Sequence, residues 1–144
     1  FASKNFNENQ FEIKSLNENG TIKLNSKNGV YYIDVSIGNI TRKFILDSGA
    51  SDVLISKGIE KSLIDNGFLK KEDYLPDGLY RIADGSIIKC RRLLIPKLTI
   101  GEFTLLNVQA TVNNSNTMLL GKSVLDKFTS WNIDNLSKTL KLTK

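Results

Sequence analysis

The chain contains no histidine and one cysteine, Cys90, in 144 residues. Without histidine, neither a Ser-His-Asp triad nor a Cys-His pair can be assembled from this sequence. Ordinary zinc sites, which draw on Cys and His ligands, are excluded on the same ground, and no metal or cofactor is expected. A lone cysteine cannot close an intramolecular disulfide, so redox chemistry leaves the compartment open. No run approaches the roughly 18 consecutive apolar residues of a membrane span. If the chain is an enzyme, its acid–base chemistry must come from carboxylates, lysines or tyrosines.

What is present suits one globular domain. The residues are 40% hydrophobic and 24% charged, enough apolar side chains to bury a core. The net charge is +5, but the cations are scattered. The densest groups are Lys70 with Lys71, and Lys89 with Arg91 and Arg92, and aromatic residues do not interleave with either. A nucleic-acid surface concentrates its charge or adds a stacking platform, so nucleic acid is not an expected partner. The first residue is Phe1 and not Met. The expectation is therefore a soluble domain, exported or anchored through a segment outside this sequence, with a bacterial envelope favoured.

Along the chain, residues 1–20 are rich in Asn, Lys and Glu with little periodicity, and are predicted as an N-terminal arm or leader. Residues 21–144 form the predicted domain. Strands are predicted at 21–24 and 30–37 around the turn dipeptide Asn28-Gly29, then at 42–46 and 53–56. Ile59, Leu63 and Ile64 recur at helical spacing before Asn66-Gly67, which predicts a short helix. Further hairpins are predicted around residues 83–86, around Gly101-Glu102 and around Asp134-Asn135, with a brief helix at 122–128. Short strands, frequent turns and one or two short helices describe a mainly β, barrel-like fold.

The sharpest local signal is Asp47-Ser48-Gly49-Ala50-Ser51, directly after the apolar residues 44–46. Glycine lets the backbone turn tightly and permits close approach of another chain. A small hydroxyl beside the acid can bond nearby main chain and fix the loop. The plainer reading of the same residues is an Asx or ST turn ending a strand. The remaining Asp-Gly pairs, at Asp77 and Asp84, lack the intervening hydroxyl and sit in apparent turns.

Ile45-Leu46-Asp47-Ser48-Gly49-Ala50 resembles the active-site signature of the retropepsin-like aspartic proteases, two apolar residues followed by Asp-Ser/Thr-Gly-Ala. Leu119-Leu120-Gly121, followed by Val124, Leu125 and Phe128, resembles the family's second hallmark, an apolar pair and glycine before a late helix. The hairpin of Ile82, Ala83, Asp84, Gly85 and Ser86 falls between them, where such enzymes carry a substrate-covering flap. The resemblance spans roughly residues 30–142 and is closer in style to bacterial members than to retroviral ones. It implies a closed acid-protease barrel, Asp47 as the catalytic carboxylate in the loop Ser48-Gly49-Ala50, and Gly49 presenting its carbonyl to an extended polypeptide. Two departures stand out. Retroviral members place Asp where Ser51 stands and Arg where Lys122 stands, and that ion pair cannot form here.

The chemistry implied needs two carboxylates facing one water, sharing a proton between them. The sequence holds one Asp-Ser-Gly triplet. A two-fold axis that sets Asp47 beside its own copy would supply the second acid, so a homodimer is expected, with the hairpin of residues 131–142 a candidate for pairing between chains. The alternative is a non-catalytic module that keeps the barrel for peptide binding or dimerisation. Tyr80 is read as hairpin packing and Cys90 as an ordinary strand cysteine, since no histidine stands by to activate it.

Overall fold

Turn residues divide the chain into short strands that can only bury their apolar faces by wrapping round one another. The computed structural model describes residues 11–144. In chain order they form β1 (Glu12–Lys14), β2 (Asn19–Lys23), β3 (Asn25–Lys27), β4 (Val30–Ile37), β5 (Ile40–Leu46) and β6 (Val53–Ser56). Helix α1 (Lys57–Asp65) follows, then β7 (Tyr74–Arg81), β8 (Ile87–Ile100), β9 (Phe103–Asn113) and β10 (Leu119–Leu120). Helix α2 (Lys122–Leu125), β11 (Ser130–Asp134) and β12 (Thr139–Thr143) complete the chain.

The strand pairings close on themselves. β4 runs antiparallel to β5, β5 parallel to β10, β10 antiparallel to β6, and β6 parallel to β9. β9 then pairs antiparallel with β8, and β8 returns to β4. This circuit is the expected closed sheet, with a free edge nowhere along those six strands. Its interior is filled by alternate residues: Ile33, Val35 and Ile37 of β4 are buried while Asp34 faces solvent. Phe44, Val53, Ile55, Leu93, Leu98 and Phe103 join them at 0–1% exposure. Each such side chain stabilises the fold by about 1.5–3 kcal/mol relative to exposure. The Phe103 ring meets Phe128 edge to face at 5.2 Å, tying the segment after α2 into the same core.

A second sheet has the order β11-β12-β2. It buries Ile22, Leu140 and Leu142 against the barrel. The terminal hairpin thus exists, and its strand β12 pairs within the chain with β2. Of the expected N-terminal arm, residues 1–10 lie outside the described residues. From there on, the segment is built into the sheets instead of hanging loose: β1 pairs with β9, and β2 with β12. Its alternation is too short to show in sequence.

Most turns form where expected. Asn28 and Gly29 both adopt positive φ, 54° and 76°, as a two-residue hairpin loop requires. Two readings need correction. Asp77 does not mark a turn: β7 runs from Tyr74 through Pro76 and Asp77 to Arg81, with a register shift between Leu75 and Gly78. A bulge accommodates the proline, which cannot donate to the ladder. In α1, capped where the Ser56 hydroxyl accepts the Ile59 N–H at 3.2 Å, Ile59 and Leu63 are buried but Ile64 is 47% exposed. Glu60 takes the inward place, at 6% exposure. Among the described residues, no helix is long and apolar enough to cross a membrane.

Candidate active site

Asp47 stands at the end of β5, which lies between β4 and β10. The parallel pairing of β10 sets Leu119 beside Ile45 and Leu120 beside Leu46. This ladder continues into the loop: the Asp47 N–H donates to the Leu120 carbonyl at 3.1 Å. Beyond it, the Lys122 N–H donates to Ala50 O at 2.7 Å and the Ser123 N–H to Ser51 O at 2.9 Å. The two sequence motifs, some seventy positions apart, are thereby one stapled unit. The Ala50 N–H donates to Asp47 O at 3.1 Å, closing the loop on itself.

Asp47 is half-buried, and its Oδ1 accepts the Gly49 N–H at 2.9 Å. That is the geometry of an Asx turn, so the structural role and a chemical one coexist in the same carboxylate. Ser48 and Gly49 are exposed. Among the described residues the main chain, and not the Ser48 hydroxyl, fixes the loop. At the two positions where the sequence departs from retroviral members, Ser51 contributes its carbonyl to the staple. Lys122 reaches outward to 3.9 Å from Asp126, with both side chains about half exposed. Lys122 therefore stays solvated and no buried charge is left behind.

The hairpin of β7 and β8 closes at residues 82–86. The Ile82 N–H donates to Ser86 O at 2.9 Å, and the Gly85 N–H to Ile82 O at 2.9 Å. Asp84 Oδ1 accepts both the Ser86 hydroxyl at 2.6 Å and the Ser86 N–H at 2.8 Å, which hold its carboxyl below the usual aspartate range. Between this hairpin and the Asp47 loop lies a cavity of about 420 Å³. Gly49, Ala50 and Asp52 line it from the loop, and Tyr80, Ile88 and Cys90 from the hairpin. The tip residues Ile82, Ala83, Asp84, Gly85 and Ser86 are not among its lining. Sequence reasoning missed Leu54, Ile88 and Thr111, which complete the walls, and gave Tyr80 and Cys90 no part in the site. The available signal was alternation, because Tyr80 pairs with Ile88 and Gly78 with Cys90 on one face of the hairpin.

At the root of the same hairpin lies a buried charge that sequence reasoning also missed. Glu60 accepts the Arg91 guanidinium through two bonds, 2.6 and 2.9 Å, and the Tyr74 hydroxyl at 2.6 Å. Burial works against its ionisation, yet the bonds from Arg91 and Tyr74 outweigh it and hold the carboxyl below its ordinary value. Burial and then Glu60 push the Tyr74 phenol well above its usual range. The cluster pins α1 to β7 and β8 just below the bulge at Pro76 and Asp77.

Comparison with known proteins gives three findings. The family described as "gag-polyprotein putative aspartyl protease" matches residues 33–127. An uncharacterized protein of Rickettsia prowazekii (strain Madrid E) is 32% identical over 111 residues, 76% of this chain and 46% of that protein. The chain therefore spans about half the length of this curated relative. The crystal structure of a retropepsin-like aspartic protease from Rickettsia conorii superposes with a TM-score of 0.58 at 25% identity, covering 92% of this chain and 91% of that one.

Proposed function

The chain belongs to the gag-polyprotein aspartyl protease family, with a retropepsin-like fold, and from that premise we propose that it is an aspartic endopeptidase working as a homodimer. Each subunit contributes one Asp47, and the two carboxylates hold one water between them. The ionised member takes a proton from the water as the oxygen attacks the peptide carbonyl. The protonated member donates a hydrogen bond to the carbonyl oxygen, and the proton is then delivered to the leaving amine. The pair works singly protonated, since two like charges about 3 Å apart do not both ionise cheaply.

One observation carries this reading: the loop that presents Asp47 is fastened along its length to Leu120, Lys122 and Ser123 by main-chain bonds, while Ser48 and Gly49 stay exposed. A rigid acid on an open face is what a second copy could meet across a two-fold axis. The sequence offers no second Asp-Ser-Gly from which one chain could build the pair alone. The substrate is an extended polypeptide, its backbone passing Gly49 beneath the hairpin of β7 and β8, which covers it and excludes water. A bacterial source, and export or anchoring through a further segment, complete the proposal.

The test is hydrolysis of an unfolded polypeptide at acidic pH, by the native chain and by Asp47→Asn. The variant should lose activity by at least about 10³-fold while keeping its fold and its dimer, and a statine-type inhibitor should block the native chain. Full activity in Asp47→Asn would refute the proposal. A folded dimer with no hydrolysis in either form would favour a peptide-binding module instead.

A further inference from the structure

The cavity beside Asp47 has apolar walls and one internal polar feature. Leu54, Ile88, Ala50 and Cys90 line it, and within it the Tyr80 hydroxyl meets Thr111 Oγ1 at 3.0 Å. Thr111 sits on β9 between Ala110 and Val112, whose side chains belong to the core. Alternation along the strand turns Thr111 the other way, onto the face it shares with its β6 neighbour Leu54. Although it lines a cavity, Thr111 is only 4% exposed. Tyr80 comes from β7, on the opposite wall, so the two hydroxyls bridge the hairpin to the barrel.

We infer that this cavity selects an aliphatic side chain of the substrate, with the Tyr80–Thr111 bridge setting its depth. The inference rests on the protease reading for its substrate, an extended peptide passing Gly49, and adds which side chain that peptide must carry. The two hydroxyls satisfy one another, one donating and one accepting. A valine or leucine side chain fills the apolar part and leaves the bridge intact. An aromatic side chain must reach further and separate the pair, leaving two hydroxyls without partners in an apolar setting. Each such loss costs about 1–3 kcal/mol. The other polar lining does not reverse this preference. The Asn113 amide is already bonded to the carbonyls of Ile55 and Thr117. Asp52 also borders the second cavity, on the far side of the loop. The bridge thus acts through the hairpin as well as through size, since a side chain of the right length leaves the hairpin fastened over the substrate.

Cys90 is the sole cysteine of the chain and lines this cavity, so its alkylation reports whether the cavity is filled. The experiment uses blocked peptides of one scaffold, each position in turn carrying valine, leucine, phenylalanine or lysine. In Asp47→Asn, which binds without cleaving, valine or leucine at one position should slow maleimide labelling of Cys90, and phenylalanine and lysine should not. In the native enzyme the same position should show a kcat/KM for valine at least about tenfold above phenylalanine, the scale on which apolar pockets discriminate. Thr111→Ala, which removes the bridge and enlarges the cavity, should erase that ratio, and Tyr80→Phe should reduce it in a readout independent of the first variant. Cys90 left unprotected by every peptide, protection strongest with lysine, or an unchanged ratio in both variants would overturn the inference. Protection by valine peptides without any cleavage by the native chain would sustain the cavity and refute the protease reading, so the two fail separately.

Discussion

Gly121 and Ala50 lie so close that a Cβ on Gly121 would stand 2.6 Å from the Ala50 carbonyl oxygen. That oxygen is the one that accepts the Lys122 N–H at 2.7 Å. The second motif carries glycine because the loop bearing Asp47 is packed against its backbone, with the Asp52 carbonyl pressing from the same side. Both neighbours are main chain, so neither can swing aside as a flexible side chain would.

Gly121→Ala should therefore destabilise the fold by about 3 kcal/mol, the upper range for overpacking a tight site. Gly58→Ala is the control. It lies in α1, where the nearest atom to a new Cβ is Ser56 Oγ at 3.9 Å. There the gain in helix propensity should stabilise by up to about 1 kcal/mol. Urea unfolding of the two variants beside the native chain measures both. Equal midpoints for all three would show that the loop and the second motif are not tightly joined.

Glu60 gives a pH-dependent expectation. Its carboxyl is held below the ordinary value in the folded chain. Its contribution is therefore fully present above the unfolded glutamate pKa, about 4.3, and is lost as pH falls through the lower folded value. Glu60→Gln should cost about 2 kcal/mol at neutral pH, less than the roughly 3–5 kcal/mol of a fully buried pair, because the Arg91 side chain is 45% exposed. As pH falls towards about 3 the native chain should lose stability faster than the variant, and the gap between them should narrow. Unfolding midpoints across that range, in the acid region where the proposed chemistry operates, provide the check. A gap that widens in acid would show that the carboxyl is protonated in the folded chain.

These two expectations differ in how far the sequence could have led to them. The Asp47 loop and Gly121 are legible because each carries its reason locally, in glycines and a hydroxyl that few other backbones require. Asn28 and Gly29 are legible in the same way, through their positive φ. Glu60 was not legible, because its partners lie 14 and 31 positions away. By periodicity Ile64 was as good a candidate for the core, and only the arrival of Arg91 on β8 decides which side of α1 turns inward. Likewise Pro76-Asp77-Gly78 reads as a turn until β8 is seen to continue past it, which makes it a bulge. The cavity residues Tyr80 and Thr111 meet only after the sheet has closed, and nothing near either one announces the other.

A mixing experiment addresses the shared site. If both acids are required and subunits exchange, native chains diluted into a ninefold excess of Asp47→Asn should mostly form mixed dimers. Activity per native chain should then fall to about one tenth. Activity unchanged by the excess, at concentrations where the dimer forms, would mean that a single Asp47 suffices.

The most direct measurement is the separation of the two Asp47 carboxylates in a crystal structure of the dimer. Their nearest oxygens should lie about 3 Å apart with one water in contact with both. Carboxylates more than about 6 Å apart, beyond the reach of one hydrogen-bonded water, or facing away from the two-fold axis, would contradict the account.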